Sequence, residues 1–104
     1  MTGEDRFGSL VEQTVAAVTK SPGHTSPRLR RALVEQSRDD VPEELRHYVD
    51  TVTQHAYRVS DEDVDALRRD GYDDDEIFEL TAATALGAAL ARLRQGMAAL
   101  DASR

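Results

Sequence analysis

VSDEDVDALRRDGYDDDEIFEL, residues 59–80, carries the punctuation that decides the fold. Ser60 with an acid three residues on, Asp63, is a capping-box signature for a helix start. The helix it opens is short and carries Val64 and Leu67. Gly71 ends it, because glycine accepts the left-handed position beyond a helix at no steric cost. Asp73 and Glu76 then repeat the device and open a second helix. No residue in the stretch follows the two-residue alternation of a half-buried strand.

Downstream, the spacing predicts one long helix from about Asp74 to Leu100, roughly 40 Å in length. It has two apolar faces. Ile77, Leu80, Thr84, Ala88 and Ala91 lie on one. Leu86, Leu90, Leu93, Met97 and Leu100 lie on the other. A helix that is apolar all round is buried all round, and a chain of 104 residues has little material to surround it. The expectation is that Leu86, Leu90, Leu93 and Met97 meet another copy of the chain. Ala82, Ala83, Ala85, Gly87, Ala88 and Ala89 are small enough to let neighbouring helices approach closely.

Upstream, Leu45, Val49, Val52, Ala56 and Val59 form a stripe about four turns long. Pro42 suits its first turn, with Glu43 and Glu44 near the positive end of the helix dipole. Ser26-Pro27 reads as an N-cap followed by proline at the first helical position. The helix after it turns Leu29, Ala32 and Leu33 inward and fades by Arg38-Asp39-Asp40. A first helix from about Arg6 to Thr19 has Phe7, Leu10, Val11, Thr14, Val15 and Val18 on one face. The reading is therefore all-α: about five helices in a single domain, 1–104, with residues 1–5 and 101–104 as disordered ends.

Composition excludes several functions. There is no cysteine, which removes disulfides, thiolate metal sites and thiol peroxidase chemistry. The net charge is −7, a poor match to nucleic acid or anionic membranes. Ile77–Ala91 is the longest apolar-rich stretch, too short to span a bilayer. The start of the chain is acidic where a secretory signal is basic, so the cytoplasm is the expected location. The charge is uneven. Residues 1–58 hold 8 bases and 9 acids, whereas residues 59–104 hold 5 bases and 11 acids. Capping of two consecutive helix starts accounts for most of this acid.

Asp61, Asp63 and Asp65 imitate the first ligands of a calcium loop, but Ala66 stands where its glycine belongs and Tyr72 where its bidentate glutamate belongs. His47 points to solvent and His55 to the border of the third helix's stripe, so the two rings cannot share a metal ion. No metal or cofactor is expected. The serines occupy caps, turns, a helix interior or the tail, with no nucleophile elbow. One set remains: Tyr48, Thr51 and His55 on a single flank of the third helix, with Arg58 closing that helix. His55 is the candidate general acid/base and Tyr48 its catalytic companion, with Thr51 and Arg58 as candidate ligand-binding residues. The structural alternative is a partly buried histidine hydrogen-bonded to a neighbour.

From Val41 to Leu100 the chain resembles the carboxymuconolactone decarboxylase / alkylhydroperoxidase D-like superfamily. The resemblance rests on Val59–Leu80, quoted above, and on the small-residue helix with Leu90, Ala91 and Arg92. In that family a cap, a short helix, a glycine-aromatic turn and a second capped helix recur in this order. The resemblance implies an all-helical alkylhydroperoxidase D-like fold and a homo-oligomer, commonly a trimer or hexamer. The Cys-x-x-Cys of the peroxidase members has no counterpart here. The decarboxylase branch acts on a lactone acid without thiols, which implies a basic pocket drawn from Arg28, Arg30, Arg31, Arg46, Arg58 and Arg92. Three functions follow as expectations. The first is a non-redox homo-oligomeric protein that binds a small anionic ligand or a protein partner. The others are a lyase or decarboxylase using His55, and an acidic adaptor for a basic protein.

Overall fold

Capping chemistry sets the element boundaries. In the computed structural model, which describes residues 3–103 with side chains from Gly8 onward, five α-helices follow one another: α1 Gly3–Lys20, α2 Pro27–Val34, α3 Glu43–His55, α4 Asp61–Arg69 and α5 Asp74–Ala102. Single 3-10 turns at Arg38–Asp40 and Ala56–Arg58 flank α3. Met1, Thr2 and Arg104 lie outside the described residues. Gly3–Asp5 already belong to α1, and Asp101 and Ala102 still belong to α5.

The Ser26 hydroxyl accepts from Leu29 N at 3.1 Å, ahead of Pro27. Both capping boxes close. Ser60 and Asp63 exchange bonds of 3.0 and 3.2 Å, and Asp73 and Glu76 exchange bonds of 3.0 and 2.8 Å. Gly71 has φ +99°, with Gly71 N donating to Arg68 O and Tyr72 N to Leu67 O. This is the double closure of a Schellman ending. The same closure ends α2, where Gln36 N donates to Leu33 O and Ser37 N to Ala32 O. There the left-handed residue is Gln36, φ +56°, an ending that no glycine announces.

The core gathers Leu33, Val34, Val41, Leu45, Tyr48, Val52, Leu67, Ile77, Leu80, Ala83 and Leu90. Helix α5 is its axis. The first of the two expected faces, Ile77, Leu80, Thr84 and Ala88, is buried within the chain. Gly87 marks the tightest crossing. A Cβ there would lie 2.6 Å from Leu33 O and 2.8 Å from Val34 O, so α2 and α5 touch backbone to backbone.

The structure departs from the sequence pattern in α1 and α3. Pro42 is the N-cap of α3, one position before the first turn. Within α3 the stripe ends at Val52, because His55 leaves helical geometry at φ −146°, ψ 59° and the following 3-10 turn points Ala56 to solvent, while Val59 beyond the turn still packs against the core. On α1, Val11, Val15 and Val18 pack inward, but Leu10 and Thr14 face out. One helix at the edge of a bundle covers the core with only one strip of its surface.

Candidate functional site

The candidate residues of the third helix do not converge. Tyr48 is buried and reaches α5, its hydroxyl 2.8 Å from Thr81 Oγ1, which itself donates to Ile77 O. Tyr48 therefore donates, and the bond ties α3 to α5. The Thr51 hydroxyl donates back along its helix to His47 O at 2.9 Å. His55 is exposed at the end of α3, its ring edge-on to Tyr57 with centroids 5.9 Å apart. The Arg58 guanidinium lies over the Tyr57 ring at 5.6 Å. His55, Tyr57 and Arg58 thus form an exposed cluster, and Tyr48 faces away from it. None of the four candidates lines any of the hollows described below.

Sequence reasoning missed a different polar centre. Glu79 stands on α5 beside the Gly23-His24-Thr25 turn. Its carboxylate accepts from His24 N at 2.7 and 3.0 Å, from Thr25 N at 2.9 Å and from the Thr25 hydroxyl at 2.7 Å. Gly23 makes the approach possible, since a Cβ there would lie 2.6 Å from Glu79 Oε1. Arg30 is buried beneath, donating to Val18 O at 2.8 Å and Ser21 O at 2.6 Å, with Nε 4.0 Å from Glu79. Burial alone would raise the Glu79 pKa. The N–H groups of His24 and Thr25 and the Thr25 hydroxyl outweigh it and hold the value at about 2. The only sequence signal is a carboxylate inside an otherwise apolar helical stretch.

The acids of residues 61–79 are mostly engaged. Asp63, Asp73 and Glu76 serve caps. Asp65 and Asp74 hold Arg68 at 2.7 and 2.8 Å, and Asp75 lies 3.6 Å from His24. Among the described residues no group of three or more His, Asp or Glu side chains could hold a metal ion, and no helix is long and apolar enough to cross a membrane.

Among the described residues an unpartnered apolar surface lies along α5. Leu90 is 6% exposed and belongs to the chain's own core, and Leu86 packs against that core. The expected interface of Leu86, Leu90, Leu93 and Met97 is therefore half covered from within. The residues left open are Phe78 at 74%, Leu93 at 37%, Met97 at 44% and Leu100 at 49%. Ala82, Ala85, Ala89 and Gly96 are exposed with them. Phe78, Ala82, Ala85, Ala89, Leu93, Gly96 and Leu100 are spaced 4, 3, 4, 4, 3 and 4. At 100° per residue they fall within an arc of about 80°. This seam runs most of the length of α5 and contains no charged side chain. Beside it, α1 and the far half of α5 enclose an open hollow of about 570 Å³, with Gly8, Val11, Leu93 and Met97 in its walls. No family model, curated protein or solved structure matches the chain.

Proposed function

We propose that the chain is a non-redox helical association protein, a homo-oligomer in which the α5 seams of neighbouring copies cover one another. The observation that carries this is the seam itself: seven apolar or small residues in helical register, all exposed. Contiguous exposed apolar surface on a folded protein marks an interaction site. Alanine and glycine at its centre allow close helix–helix approach, with Phe78 and Leu100 as larger contacts at its ends. The kinship to the carboxymuconolactone decarboxylase / alkylhydroperoxidase D-like superfamily is part of the same proposal. It is supported by the order of cap, short helix, glycine-aromatic turn, cap and long helix.

Light scattering and sedimentation on the full chain test the reading. The wild type is expected to be an oligomer at micromolar concentration. Ala85→Glu and Leu93→Glu each place a charge on the seam without touching the core, and each should yield a helical monomer, because an unpaired buried charge costs several kcal/mol. A wild-type chain that stays monomeric up to about 100 μM would overturn the proposal.

A further inference from the structure

On the side of α2 and α3 away from the seam lies a hollow of about 200 Å³. Its floor is apolar: Ala32, Leu33, Val41 and Val49. Its rim carries Gln36, Arg38, Arg46 and Asp50. In a chain of net charge −7 this lining holds two arginines and one aspartate. Arg38 is neutralised by Asp50 at 3.0 Å. Arg46 is not neutralised. Its Nε donates to Val41 O at 3.1 Å, which orients the guanidinium, and its two terminal nitrogens have no partner among the described residues. Arg92 adds further positive charge behind the wall, donating to Thr53 O at 2.8 Å.

A second observation is independent of charge. Gln36 holds a left-handed backbone, φ +56°, at the lip of the hollow. A glycine would close the same turn without strain. The turn therefore gives no reason for a side chain at this position. Strained residues of this kind gather where a ligand is held, and the glutamine amide can donate to one.

We infer that this hollow binds a small monocarboxylate with an apolar body, its carboxylate on the Arg46 fork and the Gln36 amide, its body on Leu33, Val41 and Val49. The volume limits the body to a single ring or a short branched chain, about ten heavy atoms in all. A planar guanidinium held by its Nε presents two parallel N–H donors, which match one carboxylate. None of these residues lies on the α5 seam, so the site stands or falls apart from the oligomer.

Benzoate is the probe, with benzyl alcohol as its uncharged counterpart and inorganic phosphate as an anion without an apolar body. Titrations are followed by backbone amide shifts of the full-length protein. Benzoate should saturate with a millimolar or tighter Kd, moving the amides of Val41, Arg46, Val49 and Thr53. Benzyl alcohol and phosphate should each bind about tenfold more weakly or worse. Arg46→Met keeps the apolar stem, and it should weaken benzoate about tenfold. Gln36→Gly separates binding from folding. It should weaken benzoate while raising the melting temperature by about 4 °C. The inference is overturned if benzoate gives no saturable shift, if either control binds as well as benzoate, or if Arg46→Met leaves its Kd unchanged. A Gln36→Gly protein that melts higher and binds as before would remove Gln36 from the site and overturn the two-residue assignment.

Discussion

Glu79 is the residue on which the amino-terminal turn depends, and its ionisation makes a pH prediction. Its folded-state pKa of about 2 lies below the ordinary 4.5. The stabilisation is therefore full above about pH 4.5 and is lost as the pH falls toward 2. Thermal melts from pH 6 to pH 2 should show this loss in the wild type and a flatter profile in Glu79→Gln. If the two profiles run parallel, the carboxylate is not what holds the turn. Two glycine-related substitutions should move stability in opposite directions. Gln36→Gly relieves a left-handed side chain and should add about 1 kcal/mol to the unfolding free energy in urea. Gly87→Ala forces a methyl against Leu33 O and Val34 O and should cost about 1–3 kcal/mol. Gly71 was legible in the sequence because its turn is local. Gln36 was not, because nothing in the residue type distinguishes a strained glutamine from an ordinary one. The role of Glu79 was hidden because its partners lie 54 and 55 positions away.

At the scale of elements, the starts were the most readable parts. Ser26, Ser60 and Asp73 all cap as their side chains and spacing require, since a cap is settled within four residues. Ser26→Ala should cost about 1 kcal/mol, read as a lower urea midpoint with an unchanged slope. Helix faces were less readable. Leu10, Thr14 and Ala56 fit an apolar period and yet lie outside the core. Periodicity shows which face of a helix is apolar. It does not show how wide a strip the neighbouring elements cover, nor that α3 stops at His55. Tyr48, Thr51 and His55 share a flank only on an uninterrupted helix, whereas α5 claims Tyr48 and His55 leaves helical geometry for solvent.

For the molecule as a whole, the all-helical build and the long final helix followed from the pattern. The direction of its open face did not. A helix apolar all round gives no angular signal of its own. Which strip stays bare depends on where α1 and α2 come to rest, and that is non-local information. The bare strip runs through Phe78, Ala85 and Leu100, turned away from Leu86 and Leu90. Amide hydrogen exchange gives a check at this scale. In the oligomer the amides of Ala91–Ala102 should exchange slowly. In Ala85→Glu or on strong dilution they should exchange faster, while the amides of Ile77–Ala88 keep their protection. Equal rates in the two states would place the contact between copies elsewhere.

The clasp between Glu79 and the 24–25 turn also has a kinetic meaning. It spans a separation of 55 residues, and its two ends meet once α2 has packed on α5. Such a closure belongs late on the folding route, after α5 has settled against α2 and α3. Glu79→Gln should then leave the refolding rate almost untouched and place its whole effect on the rate of opening. Only acid well below pH 4.5 would protonate this clasp, and the amino-terminal helix would then be the first part to come loose.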